Sequence, residues 1–235
     1  MGHRKCLIFA LMAILGLLST ACGESQTAAP TAPKTAEQTL WEGTIVAMGD
    51  SLTAGLGVAE ARAYPARLQA RLEADGYRYR VINAGVSGET SSGALSRLDW
   101  MLTLKPDLVI LETGANDGLR GIDVELVRRN IDTIVSRLQE GGVTVVMAGM
   151  KMVQNMGADY TGTFEGIFPA VAAARNVILV PFFLEGVAGN PALNQADGIH
   201  PTAEGYAVVV DNLYPAVRTA LDRLRSAPPK PSGKE

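Results

Sequence analysis

The stretch Val46–Gly55, VAMGDSLTAG, begins as an apolar run and changes abruptly at Gly49 to small, polar and turn-forming residues. An apolar run of this kind is typical of a strand that is buried on both faces. Read alone, Gly-Asp-Ser is also an ordinary turn, because Gly and Asp relieve backbone strain and Ser can bond to its own backbone. A functional role for Ser51 therefore requires a base and an oxyanion site elsewhere in the chain.

Four more apolar runs follow, and segments with helical spacing separate them. The five strand candidates are Thr44–Met48, Tyr79–Asn83, Asp107–Glu112, Val143–Ala148 and Val177–Pro181. Helical spacing is clearest over 127–138 and 206–224, and Gly141 and Gly142 follow the first of these helices as a C-cap. Strands that alternate with helices predict a three-layer α/β/α sandwich with a five-stranded parallel sheet.

Composition limits the number of domains and the kind of partner. The chain has 235 residues, of which 47% are hydrophobic and 19% charged, so it can bury one sizeable core. The formal net charge of −3 gives no basic field for a phosphate backbone. We expect one domain and no nucleic-acid partner.

The N-terminus carries a signal for export. Three basic or polar residues, His3, Arg4 and Lys5, precede an apolar run over 7–18, which is too short to span a bilayer comfortably. We predict a signal peptide over 1–21, a disordered tether over 22–40, one folded domain over 41–225 and a disordered tail over 226–235. The protein is therefore expected to be exported to the periplasm or cell envelope.

Cys22 is a candidate lipidation site. It follows Ala21 as in a bacterial lipoprotein processing site, although Ser19 stands where such sites usually carry Leu. A lipid on Cys22 would anchor the protein to a membrane; the alternative is ordinary cleavage near Ala21. Because Cys6 lies in the removed segment, the mature chain has no internal disulfide and no cysteine-based metal site.

The polar, glycine-rich stretches follow the predicted strands. They lie at 83–90, 113–118 and 197–201, in addition to the stretch at Ser51. In a parallel sheet, ligands bind outside the carboxyl ends of the strands, near the point where the strand order reverses. We therefore expect these stretches to meet at one edge of the sheet.

A serine hydroxyl needs a positioned base, and His200 is the only imidazole outside the signal segment. Asp197 lies three residues earlier in a tight turn, close enough to accept the Nδ1 proton and direct Nε2 toward Ser51. The alternative for His200 is an exposed loop histidine. Ser51, Asp197 and His200 are thus the candidate catalytic residues.

An oxyanion needs hydrogen-bond donors, and three are candidates. Ser51 is expected to open a helical turn with its N–H pointing outward, Gly85 can bring a second N–H close, and Asn116 can add its side-chain amide. The alternatives are a turn glycine at Gly85 and a loop-capping role for Asn116.

Four blocks, GDSLTAG at 49–55, NAGVSGETS at 83–91, GANDGLRG at 114–121 and DGIHP at 197–201, together resemble the SGNH (GDSL) hydrolase family. The likeness is greatest to its bacterial acyl-CoA thioesterase I, lysophospholipase L1 and arylesterase group. The resemblance implies a flavodoxin-like fold, Ser51 as nucleophile, Gly85 and Asn116 as oxyanion donors, and Asp197 with His200 completing a triad. It implies no cofactor and no metal.

The resulting interpretation is an exported serine esterase or thioesterase that hydrolyses small acyl esters through an acyl-enzyme. A carbohydrate O-acetyl esterase or acyltransferase and a non-catalytic lipid-binding lipoprotein remain alternatives. The segment 150–160 has three methionines, a valine and a tyrosine without helical or strand period. We predict that Met156 and Tyr160 contact the acyl chain; the alternative is that they cover the sheet end as core.

Overall fold

The computed structural model describes residues 40–152 and 156–226, which belong to one compact unit. The predicted signal peptide, Cys22, most of the tether and residues 227–235 of the tail lie outside the described residues, and so do Val153–Asn155. In the part of the chain that is described, no helix is long and apolar enough to cross a membrane.

Five parallel strands form one sheet in the order β2-β1-β3-β4-β5. They are β1 (Gly43–Gly49), β2 (Tyr79–Gly85), β3 (Leu108–Glu112), β4 (Thr144–Ala148) and β5 (Ile178–Val180). Each lies within two residues of the strand predicted from its apolar run. The order and the parallel pairing confirm the predicted five-stranded sheet and match the flavodoxin-like arrangement.

Within residues 40–152 and 156–226, eight α-helices connect and cover these strands. They are α1 (Ser51–Ala54), α2 (Tyr64–Ala74), α3 (Ser91–Ser96), α4 (Leu98–Thr103), α5 (Ala115–Leu119), α6 (Val124–Glu140), α7 (Ala158–Arg175) and α8 (Ala203–Ser226). Helices α2 and α8 pack on each other, while α6 packs on both α3 and α7. These two groups form the outer layers, so the predicted α/β/α sandwich is confirmed.

The central strands explain why the apolar run at Val46 decides the fold. Residues 45–48 of β1 are completely buried because helices cover both faces of the sheet. Strand β3, which pairs with β1, is buried along its whole length, and its last residue is the carboxylic acid Glu112. Carboxyl side chains are rarely fully buried, because burial removes them from water. The burial of Glu112 therefore points to a specific role.

Helix α6 shows how local sequence sets an element's limits. The Asp123 side chain accepts the N–H of Leu126 and caps the helix start. At the other end, Gly141 donates to the carbonyl of Arg137, and Gly142 takes the left-handed conformation with φ of 71°. The predicted glycine stop is confirmed, and Gly142 is the residue that needs glycine's conformational freedom.

The strand order reverses direction between β1 and β3. The chain leaves β1 for β2 on one side and then crosses to β3 on the other side. The segments that follow the carboxyl ends of β1 and β3 therefore border the crevice where parallel sheets of this kind bind ligands. Ser51 lies in the first of these segments and Asn116 in the second.

Candidate active site

Ser51 is the first residue of a short helix that follows β1 directly. Asp50 is its N-cap, and its Oδ1 accepts the N–H of Leu52 at 2.9 Å. Gly49 must lack a side chain, since a Cβ there would collide with the Thr53 hydroxyl and a carboxylate oxygen of Glu112. Gly-Asp-Ser is thus the turn between β1 and α1, and Thr53 and Glu112 pack tightly against it.

The three predicted catalytic side chains lie in contact. Nε2 of His200 lies 2.8 Å from Oγ of Ser51, and Nδ1 of His200 lies 2.7 Å from Oδ2 of Asp197. Ser51 and His200 are 149 positions apart in the chain, so only the fold brings them together. The fold thus brings the three predicted side chains into one continuous set of contacts.

The Asp197 carboxylate is held ionised by the turn around it. Its Oδ1 accepts the N–H groups of His200 at 3.0 Å and Ile199 at 2.9 Å, and its Oδ2 bonds to the His200 ring. These hydrogen bonds, the backbone ones first, lower the pKa of Asp197 to about 2. Asp197 therefore remains a carboxylate from weakly acidic pH upward.

Gln195 joins the histidine loop to the serine turn, a role that sequence reasoning missed. Its side-chain amide donates to the carbonyl of Leu56 at 2.7 Å and to that of Pro201 at 3.0 Å. Its backbone N–H donates to the carbonyl of His200 at 2.8 Å. One side chain thus fixes the distance between two loops that are distant in sequence.

Gly85 does not occupy the position that the sequence interpretation gave it. Its N–H donates to Oδ1 of Asn83 at 3.0 Å, and a Cβ there would collide with the backbone of Ala54. Gly85 is therefore required for close packing of β2 against α1, and it does not line the cavity at Ser51. The glycine that lines this cavity is Gly88, three residues later, whose φ is 80°.

Asn116 lies on α5, opposite Ser51. Its Nδ2 donates to Oδ2 of Asp50 at 2.9 Å, which uses one of its two amide hydrogens. In the described part of the chain, no hydrogen bond is made by the backbone N–H of Ser51 or of Gly88. Three donor groups at the cavity thus have hydrogens that are free to bind an anion.

A buried acid connects the loop of Gly88 to the helix of Asn116. Asp117 accepts both the N–H and the hydroxyl of Ser91 at 2.7 Å, and Asn130 donates to the same hydroxyl at 3.0 Å. Burial raises the pKa of Asp117, while the bonds from Ser91 oppose that rise. Arg120 also donates to the carbonyl of Gly88 at 2.9 Å, so the two segments are braced together.

The serine turn is also fixed from the side of β2. The Gly49 carbonyl accepts the N–H of Val86 at 2.9 Å and the guanidinium of Arg97 at 3.3 Å. Arg97 is in turn paired with both carboxylate oxygens of Glu89 at 2.6 Å. Because this pair is largely buried, it holds the turn with a rigid planar group.

The cavity beside Ser51 has a volume of about 250 Å³, and both polar and apolar residues line it. Its apolar lining residues are Leu52, Leu56, Ala115, Leu119 and Ile199. The side chains of Leu56, Leu119 and Ile199 are more than two-fifths exposed, so they form an apolar rim at the mouth. Single exposed apolar residues are common on protein surfaces, whereas a group of three at the mouth of a cavity is typical of a binding site.

Met156 and Tyr160, which the sequence analysis predicts to contact the acyl chain, lie away from the cavity beside Ser51. The Tyr160 hydroxyl donates to the carbonyl of Ile122 at 2.9 Å, and its ring stacks on Phe164 at 6.2 Å. Met156 lies beside Gly121, and neither residue lines the cavity. The cause is that α7 begins at Ala158, which turns Tyr160 toward the helix layer rather than the sheet edge.

Among residues 40–152 and 156–226 there is no cluster of three or more His, Cys, Asp or Glu side chains that could hold a metal ion.

The chain is similar in sequence to known proteins. A sequence model of the GDSL-like lipase/acylhydrolase family matches residues 47–208. The chain is 40% identical to esterase TesA of Pseudomonas aeruginosa over 76% of this chain and 89% of that protein. It is 32% identical to thioesterase 1/protease 1/lysophospholipase L1 of Escherichia coli K12, over 72% of this chain and 80% of that protein.

A solved structure extends the likeness to three dimensions. The crystal structure of AlinE4, an SGNH-hydrolase family esterase, superposes with a TM-score of 0.64 at 42% identity and covers 76% of this chain and 96% of AlinE4. Residues 47–208, which the family model matches, contain both Ser51 and His200. The chain therefore belongs to the GDSL (SGNH) family of ester hydrolases.

Proposed function

We propose that this protein is a serine hydrolase of acyl esters and thioesters that works through an acyl-enzyme on Ser51. The observation that carries the proposal is the continuous contact from Asp197 through His200 to Ser51, at 2.7 and 2.8 Å. With Nδ1–H donating to the Asp197 carboxylate, Nε2 is the acceptor that faces the serine hydroxyl. This tautomer is the one that a general base requires.

The reaction follows from these contacts. His200 Nε2 takes the Ser51 proton as Oγ attacks the acyl carbonyl, and the carbonyl oxygen becomes an oxyanion. The N–H groups of Ser51 and Gly88 and the free amide hydrogen of Asn116 bind that oxyanion, so Gly88 replaces Gly85 in this role. When the tetrahedral intermediate collapses, Nε2 returns its proton to the leaving alcohol or thiol.

The second half of the cycle uses the same groups on water. His200 takes a proton from a water molecule, whose oxygen attacks the acyl-serine ester through a second tetrahedral intermediate. Collapse releases the carboxylic acid and returns the proton to Oγ of Ser51. The ionised Asp197 stabilises the imidazolium in both halves, because its pKa of about 2 keeps it charged at the pH of the reaction.

The apolar rim supports an acyl substrate. Leu56, Leu119 and Ile199 can cover several methylenes of a chain whose carbonyl lies at Ser51. Relatives are named as an esterase and as a thioesterase and lysophospholipase, so acyl thioesters and lysophospholipids are the classes to test together with aryl esters. A carbohydrate O-acetyl esterase remains an outcome of the same assay, since it would prefer acetate.

Truncating the rim should reduce activity in proportion to chain length. We expect Leu119→Ala to lower kcat/KM for p-nitrophenyl octanoate by about 3- to 10-fold and for the acetate by less than about 2-fold, because each buried methylene contributes about 0.8 kcal/mol. Leu126→Ala is the matched control, since Leu126 is a similarly exposed leucine on α6 that does not line the cavity. Equal losses on both esters would contradict an acyl-chain role for the rim.

We further propose that the protein is exported and anchored by a lipid on Cys22, which rests on the sequence of the N-terminal segment. If so, Cys22→Ser should move the protein from the membrane fraction to the soluble fraction without changing kcat on soluble esters. Fractionation followed by immunoblotting measures the distribution. A wild-type protein found wholly in the soluble fraction would contradict the anchor.

A further inference from the structure

A buried carboxyl group lies directly behind the serine turn. Glu112, the last residue of β3, is completely buried. Its Oε2 accepts the backbone N–H of Asp50 at 3.1 Å and the hydroxyl of Thr53 at 2.8 Å. Glu112 thus binds the chain on both sides of Ser51.

The rest of the Glu112 environment contains no positive partner. Its Oε1 is buried and makes no hydrogen bond to the described residues, and no ion pair among them includes Glu112. The titratable groups that face it are the Asp50 carboxyl after β1 and the phenols of Tyr64 on α2 and Tyr206 on α8. An ionised Glu112 would therefore have a carboxyl and two phenols as neighbours, and no cation.

Two adjacent buried carboxyl groups cannot both ionise at low free-energy cost. Burial first, and the Asp50 charge second, raise the pKa of Glu112 well above its ordinary value. Burial also raises the pKa of Asp50, but Leu52 and Asn116 donate to its two oxygens and His200 lies nearby. Asp50 therefore carries the single negative charge of the pair.

We infer that Glu112 is a neutral carboxylic acid that positions the nucleophile: its Oε2 holds Asp50 and Thr53, and Asp50 in turn holds the Asn116 amide. The proton lies on Oε1, because Oε2 already accepts two hydrogen bonds. Glu112 does not touch the substrate and acts through these residues. Its effect on kcat rests on the proposed function, whereas its protonation does not.

The neutral state makes the isosteric amide a sharp kinetic test. Gln at 112 keeps an acceptor oxygen for Asp50 and Thr53 and has no charge, so Glu112→Gln should keep kcat within about threefold of wild type. Glu112→Ala removes the acceptor, and misplacing a nucleophile turn by about 1 Å should lower kcat by about 10²-fold while KM stays within about threefold. Both constants are measured on p-nitrophenyl butyrate.

Protein stability provides a second test that does not depend on activity. Above pH 4.5, the ordinary pKa of Glu, the unfolded chain ionises Glu112 while the folded protein keeps it protonated. The unfolded state then binds fewer protons than the folded state, so wild-type stability decreases as pH rises toward the folded pKa. Glu112→Gln cannot titrate, and we expect its Tm relative to wild type to rise steadily from pH 5 to pH 8.

Glu140→Gln is the matched control, because Glu140 is an exposed glutamate on α6, and its Tm difference from wild type should not change with pH. A pH-independent difference for Glu112→Gln would mean that the carboxyl is ionised, and would overturn the inference. A folded Glu112→Gln with the kcat of Glu112→Ala would also overturn it. If Glu112→Ala does not fold, the glutamine variant still decides, and a hydrolytic Ser51→Ala would instead indicate failure of the proposed function.

Discussion

Replacing Ser51 or His200 by alanine should lower kcat on p-nitrophenyl butyrate by about 10⁴-fold or more, with little change in Tm. Ser51 supplies the attacking oxygen, and the described residues contain no other imidazole that could take its proton. Because the two side chains act as one unit, kcat of the double variant should be no lower than kcat of the single variants. Steady-state kinetics and thermal unfolding of the three variants measure these effects.

Ser136→Ala is a suitable control for this series, since Ser136 is a hydroxyl on α6 that bonds to Glu140 and lies outside the cavity. Its kcat should equal that of wild type. Asp197→Asn should be milder than either alanine variant, because Asn retains an oxygen that accepts the same backbone N–H groups. A His200→Ala enzyme with near-normal kcat would contradict the triad assignment.

The fold and the contact among Ser51, Asp197 and His200 could be predicted, because the signals for them are local or leave only one candidate residue. Each strand was an apolar run between turn residues, and its burial on both faces needs no long-range information. His200 is the only histidine outside the predicted signal peptide, and Asp197 lies three residues away in the same turn. Such assignments need only the chain order and the rule that parallel strands end at one edge.

The oxyanion glycine could not be chosen on the same basis. Gly85 and Gly88 both follow the strand predicted over Tyr79–Asn83, and the sequence does not show which of them faces the cavity. The choice depends on the collision that a Cβ at Gly85 would have with Ala54, which is a contact between β2 and α1. A tertiary contact of this kind leaves no local pattern, so the first glycine after the strand was selected wrongly.

The positions of Glu112 and Tyr160 could not be predicted from the sequence for related reasons. Glu112 ends an apolar strand, and its role depends on a hydrogen bond to Asp50, 62 positions away. Its one available signal was a charged residue at the end of a run expected to be buried on both faces. Tyr160 was placed in an irregular loop, but it lies in the first turn of α7, where helix packing directs its ring.

The oxyanion assignment predicts a large and selective loss for Asn116→Ala. The amide hydrogen that Asp50 does not use should bind the oxyanion more strongly than the ground-state carbonyl. We therefore expect kcat to decrease by about 10²–10³-fold while KM changes by less than about threefold. Full progress curves on p-nitrophenyl butyrate give both constants from one experiment.

Asn116→Ala also removes a donor from the buried Asp50 carboxylate, so stability must be separated from catalysis. Gln69→Ala is the matched control: this half-buried amide on α2 donates to the carbonyl of Tyr79 at 2.9 Å, and it does not line the cavity. Both variants should lower the free energy of unfolding by about 1–3 kcal/mol, since each removes hydrogen bonds that are partly shielded from water. Only Asn116→Ala should lose kcat by 10²-fold or more; equal losses in the two variants would mean that Asn116 supports the fold around Asp50 and does not bind the oxyanion.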